Sequence, residues 1–202
     1  EFEPPLWTTG VLLRWFRDQF GQPEVAAAAA QGVDPYELLT AEAAGVAPGC
    51  DGLITLPYFM GAGAPYWDPV ARGALVGLSL GHTRAHVIRS LLEAVAFEIR
   101  LNVEAIGELG WPLDTLYLTG GGARSALWQR IICDVTGKRV RIPETEGTPS
   151  LGAAVLAAVG TGLYPDIEAA AAAMTRNRSE HEPDAAAHAL YSKYYAVYRE
   201  AY

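Results

Sequence analysis

Cysteine is scarce in this sequence of 202 residues, and the two present, Cys50 and Cys133, stand far apart with no Cys-x-x-Cys spacing and no histidines placed to complete a zinc set. That excludes a disulfide framework and a structural zinc site. It fits buried thiols in a reducing compartment, and no signal peptide opens the chain, so a cytoplasmic location is expected. Positive charge is also short: 15 Lys and Arg against 23 Asp and Glu leave a net charge of -8, and the basic residues are scattered. Nucleic acid or an anionic membrane needs a concentrated positive face, so neither is expected as a partner. Long hydrophobic runs are missing as well. The most apolar stretch, 151–163, is interrupted by Gly160 and Gly162 and is too short to cross a bilayer, so it reads as a buried helix. The chain opens on Glu1-Phe2-Glu3 rather than methionine and is read as a piece of a longer polypeptide.

Half of the residues are apolar and 19% are charged, enough to build a real core in one domain or one lobe. The chain is organised around Leu116-Tyr-Leu-Thr-Gly120-Gly121-Gly122-Ala-Arg-Ser125, a short apolar strand, three glycines and the opening of a helix. A glycine run strips every Cβ from one turn, so the backbone takes positive φ and another group can come close. The helix behind it points unpaired N–H groups at the same spot. With the following helix, about 125–135, and the strand 139–142, this stretch predicts a parallel β-α-β unit, in which ligands sit at the carboxyl ends of the strands. A nucleotide or phosphate site follows from that context. No Gly-Lys-Ser/Thr comes after the turn, so it is not a P-loop.

Around this unit the periodicity predicts helices over 11–20, 23–30, from Pro35, over 84–109, 149–159, 166–174 and 184–202. Thr8 or Thr9 is the expected cap of the first, Asp34 of the third and Thr83 of the long central one. Strands are expected at 53–56 and 72–80. Between them Tyr58 to Trp67 form an irregular aromatic loop, either a plug in the core or the wall of a cleft.

Other sites weigh less. His82 and His86 have i, i+4 spacing without the Glu of a His-Glu-x-x-His motif, so they read as residues of a helix start. His181 and His188 read as surface. Asp68, Asp114 and Asp134 suit turns or surface helices, and Ser125 has no evident His or Asp partner that would make it a nucleophile. A dinucleotide fold is the rival reading of the glycines: Gly120 and Gly122 fit the first two of G-x-G-x-x-G, and Glu144 falls near the ribose-binding position, but Ser125 stands where the third glycine belongs. A second rival is a non-catalytic helical binding module whose aromatic C-terminal helix docks a partner.

Several segments together resemble the C-terminal domain of the FGGY family of carbohydrate kinases. They are Pro57-Tyr-Phe-Met-Gly-Ala-Gly-Ala-Pro-Tyr-Trp-Asp-Pro-Val-Ala-Arg-Gly73, then Gly73-x-Leu75-x-Gly77-Leu78 with His86-Val87-x-x-Ser90-x-Leu92-Glu93, and Gly120-Gly-Gly-Ala-Arg-Ser-x-x-Trp128-Gln129 followed by Asp134 and Gly152-Ala-Ala-Val. Trp15-Phe-Arg-Asp18 looks like an early helix of that domain, and Leu91 is bulkier than the family's usual residue. The resemblance implies an α/β fold: an actin-like ATPase, ribonuclease-H-like lobe with a mixed sheet, flanking helices and its first strands missing, which would leave a sheet edge exposed. It implies that residues 1–202 are the C-terminal, ATP-binding lobe of a sugar kinase. In that setting Gly120, Gly121, Gly122 and Ser125 line the adenosine pocket, Gly10 lies against the phosphates and Arg14 makes a polar nucleotide contact. ATP and Mg2+ are the implied cofactors. The metal ligands, the catalytic base and the sugar or polyol site are expected in an N-terminal lobe, so the chain alone is expected to be inactive; a homodimer is compatible with the reading. The acceptor is expected to be xylulose-like, although Gly61-Ala-Gly-Ala-Pro65 departs from the xylulokinase pattern Gly-Glu-Arg-x-Pro and Ala64-Pro-Tyr-Trp-Asp68 looks more like glycerol kinases.

Overall fold

The computed structural model describes residues 4–145 and 147–202; the opening tripeptide Glu1-Phe2-Glu3 lies outside the described residues. Three helices come first. In α1 (Gly10–Phe20), Leu12, Leu13 and Phe16 form the buried stripe, and the N–H of Gly21 closes the last turn on the Arg17 carbonyl at 2.9 Å. The expected threonine cap is not made: Thr9 stands at the N-cap without a side-chain bond, and the Thr8 hydroxyl donates to the Pro57 carbonyl, tying the helix start to the aromatic loop. α2 (Gln22–Gln31) follows, then α3 (Pro35–Ala44), where the Asp34 carboxylate accepts the N–H of Tyr36 at 2.9 Å as the capping rule requires.

β1 (Ile54–Leu56) pairs antiparallel with β2 (Ala74–Val76). The second strand is shorter than the 72–80 expected, because Gly77 takes φ of 85° and ends the extended backbone. The aromatic loop between them is a plug at one end and open at the other. Tyr58 is buried and Trp67 is exposed.

α4 (Arg84–Glu108) is the central element. Thr83 and His86 form its capping box, with the Thr83 N–H donating to His86 Nδ1 at 3.1 Å, so this histidine is a helix-start residue as expected. Ile88, Leu91, Leu92, Val95 and Ala96 are fully buried along it, the bulky Leu91 included. Charged groups lie on its inner face too. Glu93 accepts from Arg89 Nε at 2.7 Å, from the Tyr191 hydroxyl at 2.9 Å and from the Gly49 N–H at 3.1 Å. One turn further, Glu98 accepts the hydroxyls of Tyr58 and Tyr198.

The second half builds a mixed sheet in the order β3-β4-β5. β3 (Thr115–Tyr117) runs parallel to β4 (Arg139–Pro143), joined through α5 (Ala126–Thr136), and β5 (Asn177–His181) returns antiparallel to β4. The predicted β-α-β unit is therefore present. β5 was not foreseen, since its five residues are polar and carry no apolar alternation. α5 buries Trp128, Ile131, Ile132 and Val135, and the Trp128 indole donates to the Leu92 carbonyl of α4 at 3.1 Å. α6 (Thr148–Gly160) and α7 (Ile167–Met174) pack on each other, and α8 (Ala185–Glu200) closes the chain.

Four expectations are corrected here. The stretch 151–163 is helical as far as Gly160 but mostly exposed: only Val155 and Ala158 are buried, because α6 packs chiefly on α7, which covers a single stripe. Asp134 is buried rather than superficial, paired with Arg130 at 2.8 Å and accepting the N–H of Asp184 at 2.8 Å. His188 and His181 are half-buried and bonded, the first to the Asp134 carbonyl and the second to Gln129. The aromatic face of α8 is not available to a partner, since Tyr191, Tyr195 and Tyr198 are buried around Phe97 of α4. Both cysteines are buried free thiols as expected; burial pushes the Cys50 thiol far up and that of Cys133 up to about 11.

Candidate functional site

β3 and β4 are parallel, so their carboxyl ends lie at one edge of the sheet, and the glycine turn leaves from that edge. The Leu118 N–H still donates to the Arg141 carbonyl at 3.0 Å before the chain turns away. Gly120 then adopts φ 71° and ψ −157°, a region closed to residues with a Cβ. A short 3-10 turn, Gly121–Arg124, follows, and Ser125 opens α5 by accepting the Trp128 N–H at 3.3 Å.

The three glycines serve different needs. Gly120 is required by its backbone angle. A Cβ on Gly122 would stand 3.1 Å from the Trp128 ring, so this glycine lets the turn rest on α5. A Cβ on Gly121 would meet nothing within 4 Å; its face is open to an incoming molecule. The turn is braced from behind: the Ala123 carbonyl accepts Gln129 Nε2 at 2.7 Å and a guanidinium N–H of Arg178 at 3.1 Å, while His181 Nε2 meets Gln129 Oε1 at 2.8 Å. Thr119, Gly120, Pro143, Thr145, Arg124 and Arg178 wall a shallow cleft over this floor. On the outer face beside it, the hydrogen bond from Arg141 holds the Glu180 carboxyl below its usual range.

Of the residues named from the sequence, Gly120 walls the cleft, Gly121 and Gly122 continue the turn from it, and Ser125 follows directly as the helix cap. Gly10 and Arg14 lie apart from its lining, on α1, which packs on α2, α3 and α4. Both are exposed, and Arg14 has no hydrogen-bond or ion-pair partner among the described residues. Sequence reasoning did not single out Arg178 and read His181 as surface. Both sit on β5, where no periodicity marks a strand. Gln129 was visible only inside the family motif.

Chemically, the cleft suits binding more than bond-breaking. The Ser125 hydroxyl is engaged as a helix cap, and no general base is hydrogen-bonded to it among the described residues. Among the described residues no three His, Cys, Asp or Glu side chains come together as a metal site.

Strand, glycine turn, helix and mixed sheet define a class: an α/β lobe of the actin-like ATPase fold. The chain belongs to the FGGY family of carbohydrate kinases, whose C-terminal domain matches residues 7–161. It is 37% identical over 166 residues to a gluconokinase of Bacillus subtilis (strain 168), covering 82% of this chain and 32% of that protein. To a glycerol kinase of Saccharolobus islandicus (strain M.14.25 / Kamchatka #1) it is 34% identical over 167 residues, covering 82% and 31%. The crystal structure of xylulose kinase from Rhodospirillum rubrum superposes with a TM-score of 0.81 at 34% identity, covering 96% of this chain and 37% of that one. The chain thus spans about a third of the length of the curated relatives it matches.

Proposed function

We propose that this chain is the nucleotide-binding lobe of a kinase that transfers the γ-phosphoryl group of ATP to a hydroxyl of a sugar or polyol. The observation that supports this reading best is the open glycine turn at the carboxyl end of β3, braced on Trp128 and Gln129, in a chain of the FGGY family. Adenosine lies on Gly120, Gly121 and Gly122 near the start of α5 at Ser125. The phosphates point toward the start of α1, where Gly10 leaves room for them and Arg14 offers an unpaired cation. Phosphoryl transfer depends on in-line positioning and on offsetting the charge that develops on the transferred group. This chain's share is to bind and orient the donor.

The catalytic base, the Mg2+ ligands and the acceptor site are assigned to a second lobe, following the two-lobe organisation that the resemblance implies. Xylulose is the acceptor placed first, on the likeness to the Rhodospirillum rubrum xylulose kinase at 34% identity over 96% of the chain. Gluconate and glycerol follow from the other two relatives. Assaying the intact protein for ATP-dependent phosphorylation of xylulose, gluconate and glycerol tests the reading: turnover on one of them is expected, and no turnover on any sugar or polyol would sink it.

A further inference from the structure

The ladder between β4 and β5 slips by one residue at the cleft. Ile142 pairs with Ser179, and the next pair is Pro143 with Asn177, so Arg178 faces no residue across the ladder. Pro143 has no N–H to give, and bulges are among the few places where a sheet accepts proline. In a regular strand Arg178 would share the face of Glu180, whose carboxylate meets Arg141 at 2.5 Å and Arg139 at 3.4 Å. A bulge takes its extra residue out of that alternation and re-aims it. Arg178 reaches the glycine turn instead, donating to the Ala123 carbonyl at 3.1 Å and forming one wall of the cleft.

That single bond leaves most of the guanidinium's five N–H donors open. No carboxylate pairs with Arg178 among the described residues. The Ala123 carbonyl is also held by Gln129 at 2.7 Å, so Arg178 is not its sole support. An exposed strand residue, turned by a bulge against an open glycine floor with most of its donors unspent, is placed for a ligand.

We propose that Arg178 is a further nucleotide-binding residue, its guanidinium lying against the purine and ribose of the ATP or ADP seated on Gly120–Gly122. The inference rests on the nucleotide reading above. A guanidinium suits this place because it is flat, stacks on aromatic faces and keeps its donors in the plane, which an ammonium group cannot do. Gln129 steadies the floor: its Oε1 accepts from His181 Nε2, which turns its amide N–H₂ toward the Ala123 carbonyl.

The test uses the intact protein and four forms: wild type, Arg178→Ala, Arg178→Lys and Gly121→Trp. Titration with ADP gives the Kd, steady-state kinetics gives KM for ATP and for the acceptor, and melting without nucleotide reports the fold. Arg178→Ala is expected to raise the ADP Kd and the ATP KM by roughly tenfold or more, the scale of a lost hydrogen bond to a charged group, with the acceptor KM and the ligand-free Tm unchanged. Arg178→Lys is expected to remain weak, and full recovery of affinity by lysine would overturn the stacking contact. If Gly121→Trp abolishes ADP binding while Arg178→Ala leaves it intact, the role of Arg178 is overturned and the nucleotide reading survives. If ADP is not bound, or is bound equally by all four forms, both fall. A lower ligand-free Tm of Arg178→Ala with equal rises in both KM values would reduce Arg178 to a structural brace and overturn the proposal.

Discussion

α6 carries no charged residue between Thr148 and Gly160, yet it buries only Val155 and Ala158 and leaves Leu156 59% exposed. α4 carries Arg89, Glu93 and Glu98 on its inner face, and these are 6%, 2% and 4% exposed. The two helices differ in their neighbours. α4 is enclosed by α1, α3, α5 and β1, so its middle, from Ile88 to Glu98, meets protein on every side, whereas α6 packs chiefly on α7. Burial is therefore decided by how many elements surround a helix, and hydropathy decides only what that burial costs. The charges of α4 are tolerated because each is met: Glu93 by Arg89, Tyr191 and the Gly49 N–H, Glu98 by two tyrosine hydroxyls.

The contrast can be broken most severely at Glu93. Glu93→Ala leaves the Arg89 guanidinium buried beside Tyr191 without its carboxylate, and a loss of about 3–5 kcal/mol is expected from urea denaturation. A cost near zero would mean that α4 is far wetter in solution than its packing shows. Next comes Tyr198→Phe, which removes one donor to the buried Glu98 carboxylate and should cost about 1.5–3 kcal/mol in the same experiment.

Glu98 also sharpens the comparison through pH. Burial raises its pKa, against the pull of the Tyr198 and Tyr58 hydroxyls. The folded chain thus binds this proton more tightly than the unfolded chain does. The resulting stabilisation is fully present below the ordinary Glu pKa and is lost as pH rises through the raised value. Glu98→Gln lacks this titration, so melts at a series of pH values should show wild type losing stability relative to the variant across that window. A constant difference would place the carboxyl in water. The smallest effect is expected on α6, where Leu156→Ser should change stability by no more than about 0.5 kcal/mol. A cost like that of a buried leucine would show that this face is covered in solution.

The β-α-β unit was legible because its signals are local. An apolar strand, three glycines, a serine cap and an amphipathic helix each leave a mark within a few residues, and the structure contains them in that order. The cap by Asp34 and the stop at Gly21 were legible for the same reason. β5 was not: Asn177 to His181 form a strand because β4 offers a paired edge, and their side chains carry no alternation that would announce it. With β5 went Arg178 and His181, so half of what braces the glycine turn stayed hidden. Asp134 looked like a surface helix residue because its partner N–H, on Asp184, is fifty positions away.

By itself the sequence determined the family, the helices and the glycine turn, because those depend on residue types at short spacing. The tertiary structure alone decided which faces are covered. It joined Glu93 to Gly49 and Tyr191, spent the aromatic face of α8 on Phe97, left the most apolar helix exposed and turned Arg178 toward Ala123. Each of these is a meeting of groups far apart in the chain, and proximity of that kind is set by packing, which no local spacing records.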